Sequence, residues 1–237
     1  MQNILNTNGL VLWDETEIKF REYATSRIAY IIEFILKQEN KAWDFRRIES
    51  SCLIPTALIN PNYDSSDYFS IEDSYLALRP ETTAVSYRYA ETLLKSGKYP
   101  PICIWQMGKS FRNEQDQVTK NMRLKEFHQL EFQCIFSTDT KNDYMEVLLR
   151  PLANVVTELL GMESRIVASD RLPSYSEKTM DIEVNNGDKW MEVASISLRN
   201  DFDHVIMIGK QNRTFKVLEV AFGMDRLVYN RFKNSTQ

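Results

Sequence analysis

The residues best suited to chemistry concentrate in positions 108–136, which read as two strands joined by a polar loop. Strand side chains alternate between faces, so parity sorts them. In 126–136 the even positions His128, Leu130, Phe132, Cys134 and Phe136 are mostly apolar and predict a core face. The odd positions Phe127, Gln129, Glu131 and Gln133 make an unusually polar opposite face. On the preceding strand Gln106, Ser110, Arg112 and Glu114 share a parity. Towards the C-terminus Glu219 shares one with Ala221, and Glu192 shares one with Ala194. One such face is ordinarily the solvated side of a half-exposed sheet, and each residue has that plain reading as exposed acid, ion-pair partner or core aromatic. Four strands that each present a carboxylate or guanidinium form a less ordinary surface. It suits a ligand with phosphates at one end and an ammonium at the other, because the planar guanidinium fork matches phosphate oxygens and clustered carboxylates attract a cation. An aromatic between them can stack on a purine.

The elements that must position these residues are legible in outline. Asp14 followed by Glu17 predicts a capped helix start, and 18–37 has helical apolar spacing at Tyr23, Ile28, Ile31, Ile32 and Ile35. "WDFRRIESSCLIP" reads as a strand ended near Pro55, and "NPNYDSSD" as turns. The strand "SYLAL" leads to a helix with Pro80 at its start and Gly97 at its end. Two long strands follow, then a helix over 139–161 that Pro151 is expected to kink or split. "RIVAS", "MDIEV", "KWMEVASISL", "HVIMIGK" and "FKVLEVAF" read as strands before a helix beginning near Gly223. Strands in neighbouring hairpins with helices in separate blocks predict an α+β fold, an antiparallel β-sheet flanked by helices.

Composition narrows the classes. At 237 residues and 43% hydrophobic, the chain supports one sizeable core, and we expect a single domain over 1–237. A net charge of -4 with mixed signs disfavours a nonspecific nucleic-acid coat while leaving room for a local basic site. The three cysteines lie far apart in apolar runs and only two histidines exist, so buried thiols in a reducing compartment are expected and a structural zinc is not. The N-terminus lacks signal-peptide character, and "IAYIIEFIL" is too short and carries Glu33, so no membrane partner is expected.

Several motifs resemble one family. "FRNE", a loop, then "RLKEF" looks like motif 2 of class II aminoacyl-tRNA synthetases, and "EVAFGMDRL" looks like their motif 3. "LALRPET" resembles the amino-acid-binding strand of the subclass that includes the glycine, threonine, proline and histidine enzymes. "KYPPICIWQMGKSFRNE" and "KWMEVASISLRNDFDH" resemble glycyl-tRNA synthetase segments, the second being similar to a W-x-E-x-x-G-I-A-x-R-x-D-x-D type run, with Ser195 and Ser197 at its Gly and Ala positions. The resemblance covers 75–229, in the right order. It implies an antiparallel-sheet core that activates a small, glycine-like amino acid with ATP and Mg²⁺, giving an aminoacyl adenylate for transfer to the tRNA acceptor end or another acceptor. It also implies a cytoplasmic homodimer. Carried over residue by residue, Arg112 would hold the α-phosphate and the amino-acid carbonyl, and Glu114 the adenine end. Phe127 would stack on adenine. Arg123 and Arg226 would grip the distal phosphates, with Arg226 also covering the purine. Glu219 would be a Mg²⁺ ligand, and Glu81, Glu131 and Glu192 would surround the amino group.

The sequence departs from the pattern at marked points. Ala221 stands where the glycine enzymes carry the serine of Glu-Pro-Ser, the loop "QDQVTKNM" lacks their Ser-Pro-Arg, and Ser51 occupies the expected motif 1 proline. No anticodon-binding domain is expected after Tyr229. A non-catalytic descendant serving as a binding or accessory subunit is the alternative; retention of the ATP-binding arginines argues against it.

Overall fold

The computed structural model describes residues 11–113, 122–170, 172, 174–187, 189–202, 206–208 and 211–232. The first helix, α1 (Glu15–Glu39), starts at Asp14 in a full capping box: the Asp14 side chain accepts the Glu17 N–H and Glu17 accepts the Asp14 N–H. Its Ala24, Ile28, Ile32 and Leu36 recur at helical spacing and are wholly buried. The expected strand through 43–55 is instead two short strands in different sheets, β1 (Asp44–Arg47) and β2 (Leu53–Pro55), the latter paired with β3 (Leu76–Leu78). Helix α2 (Thr83–Lys95) begins three residues after Pro80, whose carbonyl serves as an acceptor for Arg112 Nε at 3.0 Å. The long strands β4 (Ile102–Phe111) and β5 (Glu126–Ser137) follow, then α3 (Tyr144–Leu160), which runs unbroken through Pro151. The remaining elements are β6 (Ser164–Ala168), β7 (Ser176–Asn185), β8 (Trp190–Arg199), the small hairpin β9 (Ile206–Ile208) and β10 (Gln211–Arg213), β11 (Phe215–Gly223) and α4 (Met224–Phe232).

Seven strands form the main sheet in the order β1-β4-β5-β11-β8-β7-β6, antiparallel except for the β1–β4 pair. One face carries Cys103, Leu130, Phe132, Cys134, Leu218, Val220 and Phe222 against α1, α3 and α4, as the even positions of β5 predict. On the opposite face α2 covers one end through Ala90, Leu93 and Leu94 on Ile102, Ile104, Ile135 and Val217. The rest of that face lies beyond α2, and there the polar positions of β5, β11 and β8 are exposed to a cavity. Cys103 and Cys134 are buried free thiols, and Cys52 is half-buried. Among the described residues no helix is long and apolar enough to cross a membrane.

Parity fails on β8 for a definable reason. Ile182 of β7 pairs with Ala194, and the next residue Glu183 pairs with Glu192, so β8 holds one extra residue at Val193. Val193 and Ala194 both turn to the core, and Glu192 shares the cavity face with Ser195 and Ser197.

A buried arginine ties the motif 1 region to this sheet. Arg79, 1% exposed, lies over Gly108 and donates to the carbonyls of Lys109 (2.8 Å), Ser50 (3.1 Å) and Ser51 (3.1 Å). A Cβ on Gly108 would fall 2.3 Å from Arg79 Nη2, and these bonds leave the guanidinium no room to withdraw. Gly108→Ala is expected to destabilise the protein by about 2 kcal/mol in urea unfolding, as overpacked core substitutions do; an unchanged midpoint would show that Arg79 is not fixed there.

Candidate active site

The polar residues of three central strands meet at one level of the sheet. Register places Glu131 of β5 opposite Ala221 of β11, and Ala221 opposite Ser195 of β8. One step further along β11, Glu219 stands between Gln133 and Ser197. The loop before α2 delivers Glu81 and Thr82, and the first residue of α2 delivers Thr83, over these carboxylates. Thr82 Oγ1 donates to Glu131 Oε2, and the single Thr83 hydroxyl proton is shared between that oxygen at 3.2 Å and Glu219 Oε2. Glu219 Oε2 accepts from Thr83 Oγ1 (3.1 Å), Gln133 Nε2 (2.9 Å) and Arg199 Nη1 (2.6 Å). Glu81 Oε2 accepts from Tyr63 OH at 3.1 Å.

Arg199, the last residue of β8, holds the cluster together. Its side chain has 0% exposure and pairs with Glu219 at 2.6 Å, Asp201 at 2.5 Å and Glu81 at 3.9 Å. Its guanidinium carbon lies 4.0 Å from the centre of the Tyr175 ring and 5.6 Å from that of Tyr87. Burial alone would lower its pKa, yet Glu219, Asp201 and Glu81 raise it well above the usual arginine range. No motif singles out Arg199, although its R-x-D spacing to Asp201 is visible in the sequence; its partners Glu81 and Glu219 are remote along the chain.

Three carboxylates around one guanidinium leave negative charge in excess, and the carboxyls respond. Burial raises Glu131 to about 8, reinforced by Glu219 and Glu81 and opposed by the Thr82 hydrogen bond. Burial likewise raises Glu81, against the pull of Arg199. The Tyr175 and Tyr63 hydroxyls are also pushed up by burial.

At the other end of the same cavity, of about 290 Å³, lie Arg112, Arg123, Phe127 and Arg226. Arg112, just beyond β4, has its guanidinium carbon 5.3 Å from the Phe127 ring centre and 5.6 Å from that of Tyr63. Burial lowers its pKa, but Tyr63, Glu81 and Glu131 together hold it above the ordinary value. Arg226, on the first turn of α4, donates to the Glu192 carbonyl at 2.9 Å and pairs with its carboxylate at 3.4 Å. Glu192 therefore stands with Arg226 and apart from the Glu81–Glu131–Glu219 cluster, which differs from the grouping the sequence suggested. The half-buried Ala221 lies on the cavity floor. Glu114 and most of the loop that follows it lie outside the described residues.

All three bonds to Glu219 fall on Oε2, one of them from a guanidinium, and no group of three or more His, Cys, Asp or Glu arranged to hold a metal occurs among the described residues. Glu219 is thus first an ion-pair partner of Arg199 through Oε2, and a Mg²⁺ ion here would be held by one carboxylate together with nucleotide phosphate oxygens.

A family model for the tRNA synthetase class II core domain (G, H, P, S and T) matches residues 68–231. The chain belongs to the class II aminoacyl-tRNA synthetase family. Among curated relatives, a glycine–tRNA ligase of Mycoplasma capricolum subsp. capricolum is 30% identical over 176 residues, 66% of this chain and 39% of the relative. One of Mycolicibacterium paratuberculosis is 30% identical over 141 residues, 56% of this chain and 30% of the relative. The chain thus spans well under half the length of these relatives. Its fold is similar to Giardia lamblia prolyl-tRNA synthetase in complex with prolyl-adenylate (TM-score 0.72, 17% identity, 94% of this chain and 48% of that one). It is likewise similar to the Cryptosporidium parvum prolyl enzyme complexed with halofuginone and AMPPNP (TM-score 0.72, 16% identity, 94% and 47%). This synthetase core is the mostly antiparallel α+β sheet flanked by helices that the strand pattern implied.

Two predictions follow from the buried charges. Removing one member of a buried ion-paired network costs about 3–5 kcal/mol, because its partners are left uncompensated. Arg199→Ala should lose that order of stability in denaturant unfolding, and a loss below about 1 kcal/mol would contradict the network. The second concerns pH. Glu131 titrates near 4.5 when unfolded and about 8 when folded, so between those values the folded state holds a proton the unfolded chain has released. Its contribution to stability is complete below the unfolded value and is lost as pH rises through the folded one. Glu131→Gln, which cannot ionise, should gain stability relative to wild type as pH is raised from 5 to 8. Parallel pH profiles would show that Glu131 is not shifted.

Proposed function

We propose that this synthetase core activates a small amino acid with ATP, forming an aminoacyl adenylate and pyrophosphate. The observation that carries this is the single cavity with an acidic, hydroxyl-lined end around Glu81, Glu131 and Glu219 and a cationic, aromatic end around Arg112, Phe127 and Arg226. The amino acid's ammonium docks at the acidic end, where the carboxylates replace its water shell. Its carboxylate then lies towards Arg112. ATP lies across the other end, with the base between Phe127 and Arg226 and the phosphates near Arg112 and Arg123. Arg112 already covers one face of Phe127, so the base takes the other.

One carboxylate oxygen of the amino acid attacks the α-phosphorus. The bond to the β-phosphate oxygen breaks, and pyrophosphate leaves with the electron pair. No side-chain nucleophile is required. The protein contributes alignment and a fixed positive charge where negative charge develops. Arg112 holds that charge through any accessible pH. Magnesium enters with ATP on its phosphate oxygens, the usual way this ion is carried, and no step is assigned to an ion held by the protein. An acceptor, tRNA in the manner of the glycine–tRNA ligase relatives or another nucleophile, then takes the aminoacyl group and releases AMP. Glu114 belongs to the same proposal at the adenine end, and homodimerisation and a cytoplasmic site of action belong to it by kinship.

Ala221, with Ser195 beside it, leaves the identity of the amino acid to experiment. Amino-acid-dependent ATP–pyrophosphate exchange should appear with one or a few small amino acids. Arg112→Ala should lower it at least 100-fold, the scale of losing a charge aimed at a transition state. Silence with all common amino acids would overturn activation in this form. Charging of total tRNA with the amino acid that scores in exchange then tests the acceptor.

A further inference from the structure

Asp225 touches the nucleotide end of the site without lining the acidic end. It sits at the second position of α4, is 3% exposed, and is well placed for a helix N-terminus. Its Oδ2 accepts the His128 backbone N–H at 2.7 Å. Its Oδ1 lies 3.0 Å from His128 Nδ1 and 3.6 Å from Arg21 Nη1, and that same Nη1 is 3.2 Å from His128 Nδ1. Arg21 can only donate and so pairs with the carboxylate, and His128 Nδ1 lies within hydrogen-bond distance of both.

These ties stand where the sheet stops. The β11–β5 ladder ends at the Gly223–Gln129 pair, so beyond it no strand hydrogen bond fixes the distance between the two chains. His128 directly follows Phe127, and Asp225 directly precedes Arg226. The Asp225–His128 bonds therefore join the backbones that carry both walls of the purine cleft. Arg21, 9% exposed on α1, holds the carboxylate from behind.

We infer that Asp225 is a positioning residue for the nucleotide: its carboxylate, held by Arg21, sets the spacing between Phe127 and Arg226. The inference rests on reading that cleft as the ATP site. It acts on ATP affinity and leaves the acidic end alone, so it separates from a merely structural role.

The test titrates MgATP calorimetrically into the full chain and into Asp225→Ala, Asp225→Asn and Arg21→Ala, with amino-acid affinity and melting temperature measured on each. Asp225→Ala should weaken ATP binding about tenfold or more, the scale of a lost charge-assisted hydrogen bond, with amino-acid affinity within twofold of wild type. Asp225→Asn keeps an oxygen for the His128 N–H and should lose less than Asp225→Ala. Arg21→Ala should weaken ATP binding a few-fold. ATP affinity within twofold of wild type in a folded Asp225→Ala would overturn the inference, as would equal loss of ATP and amino-acid affinity. Should Asp225→Ala fail to fold, an unchanged ATP affinity in both Arg21→Ala and Asp225→Asn overturns it. Absence of ATP binding by the wild-type chain would instead refute the nucleotide reading itself, and only that arm reports it.

Discussion

A guanidinium removed entirely from water is costly, and Arg199 is tolerable only because carboxylates and aromatic faces surround it. Much of the site follows from satisfying that charge. Glu219 on β11 and Asp201 just after β8 neutralise it, the Tyr175 and Tyr87 rings lie against it, and Glu81 approaches from the loop before α2. The carboxylates outnumber the cation they enclose. Glu131, the deepest of those without a guanidinium contact, meets the excess by keeping its proton towards neutral pH. A pocket of that kind is short of one positive charge, and a small ammonium can supply it.

The fold provides this pocket by covering its sheet unequally. Three helices cover most of one face, while α2 covers only one end of the other. Where α2 stops, the strand positions turn from Ile104, Ile135 and Val217 to Gln133, Glu131 and Glu219. The start of α2 and the loop before it carry Glu81, Thr82 and Thr83 to that boundary, so the helix that ends the second core also delivers donors to the acidic cluster. The cationic end is built differently, at and just beyond strand ends: Arg112 after β4, Phe127 near the start of β5 and paired with Ser110, Arg226 after β11. The β5–β11 ladder stops short of Phe127 and Arg226, so contacts outside it must set the spacing between them.

Much of this was legible in the chain. Alternation on β5 placed Leu130, Phe132 and Cys134 in the core and Gln129, Glu131 and Gln133 on the opposite face, because an unbroken antiparallel strand leaves parity intact. On β8 the extra residue at Val193 shifts the phase, so Glu192 faces the same side as Ser195 and joins Arg226. A bulge depends on pairing with a neighbour and leaves little trace in local sequence. Arg199 was hidden for a related reason: its importance lies in partners far along the chain. The start of α2 was displaced because Pro80 is used as a carbonyl acceptor for Arg112 rather than as a first helical residue.

In the proposed reaction one cavity receives an ammonium among Glu81, Glu131 and Glu219 and a purine between Phe127 and Arg226. A crystal structure of the protein with a non-hydrolysable glycyl-adenylate analogue tests it most directly. The account predicts the analogue's amino group within hydrogen-bond distance of Glu131 and at least one of the other two carboxylates, with its adenine stacked on the face of Phe127 that Arg112 leaves open. An analogue bound the other way round, or bound elsewhere while this cavity stays empty, would contradict it.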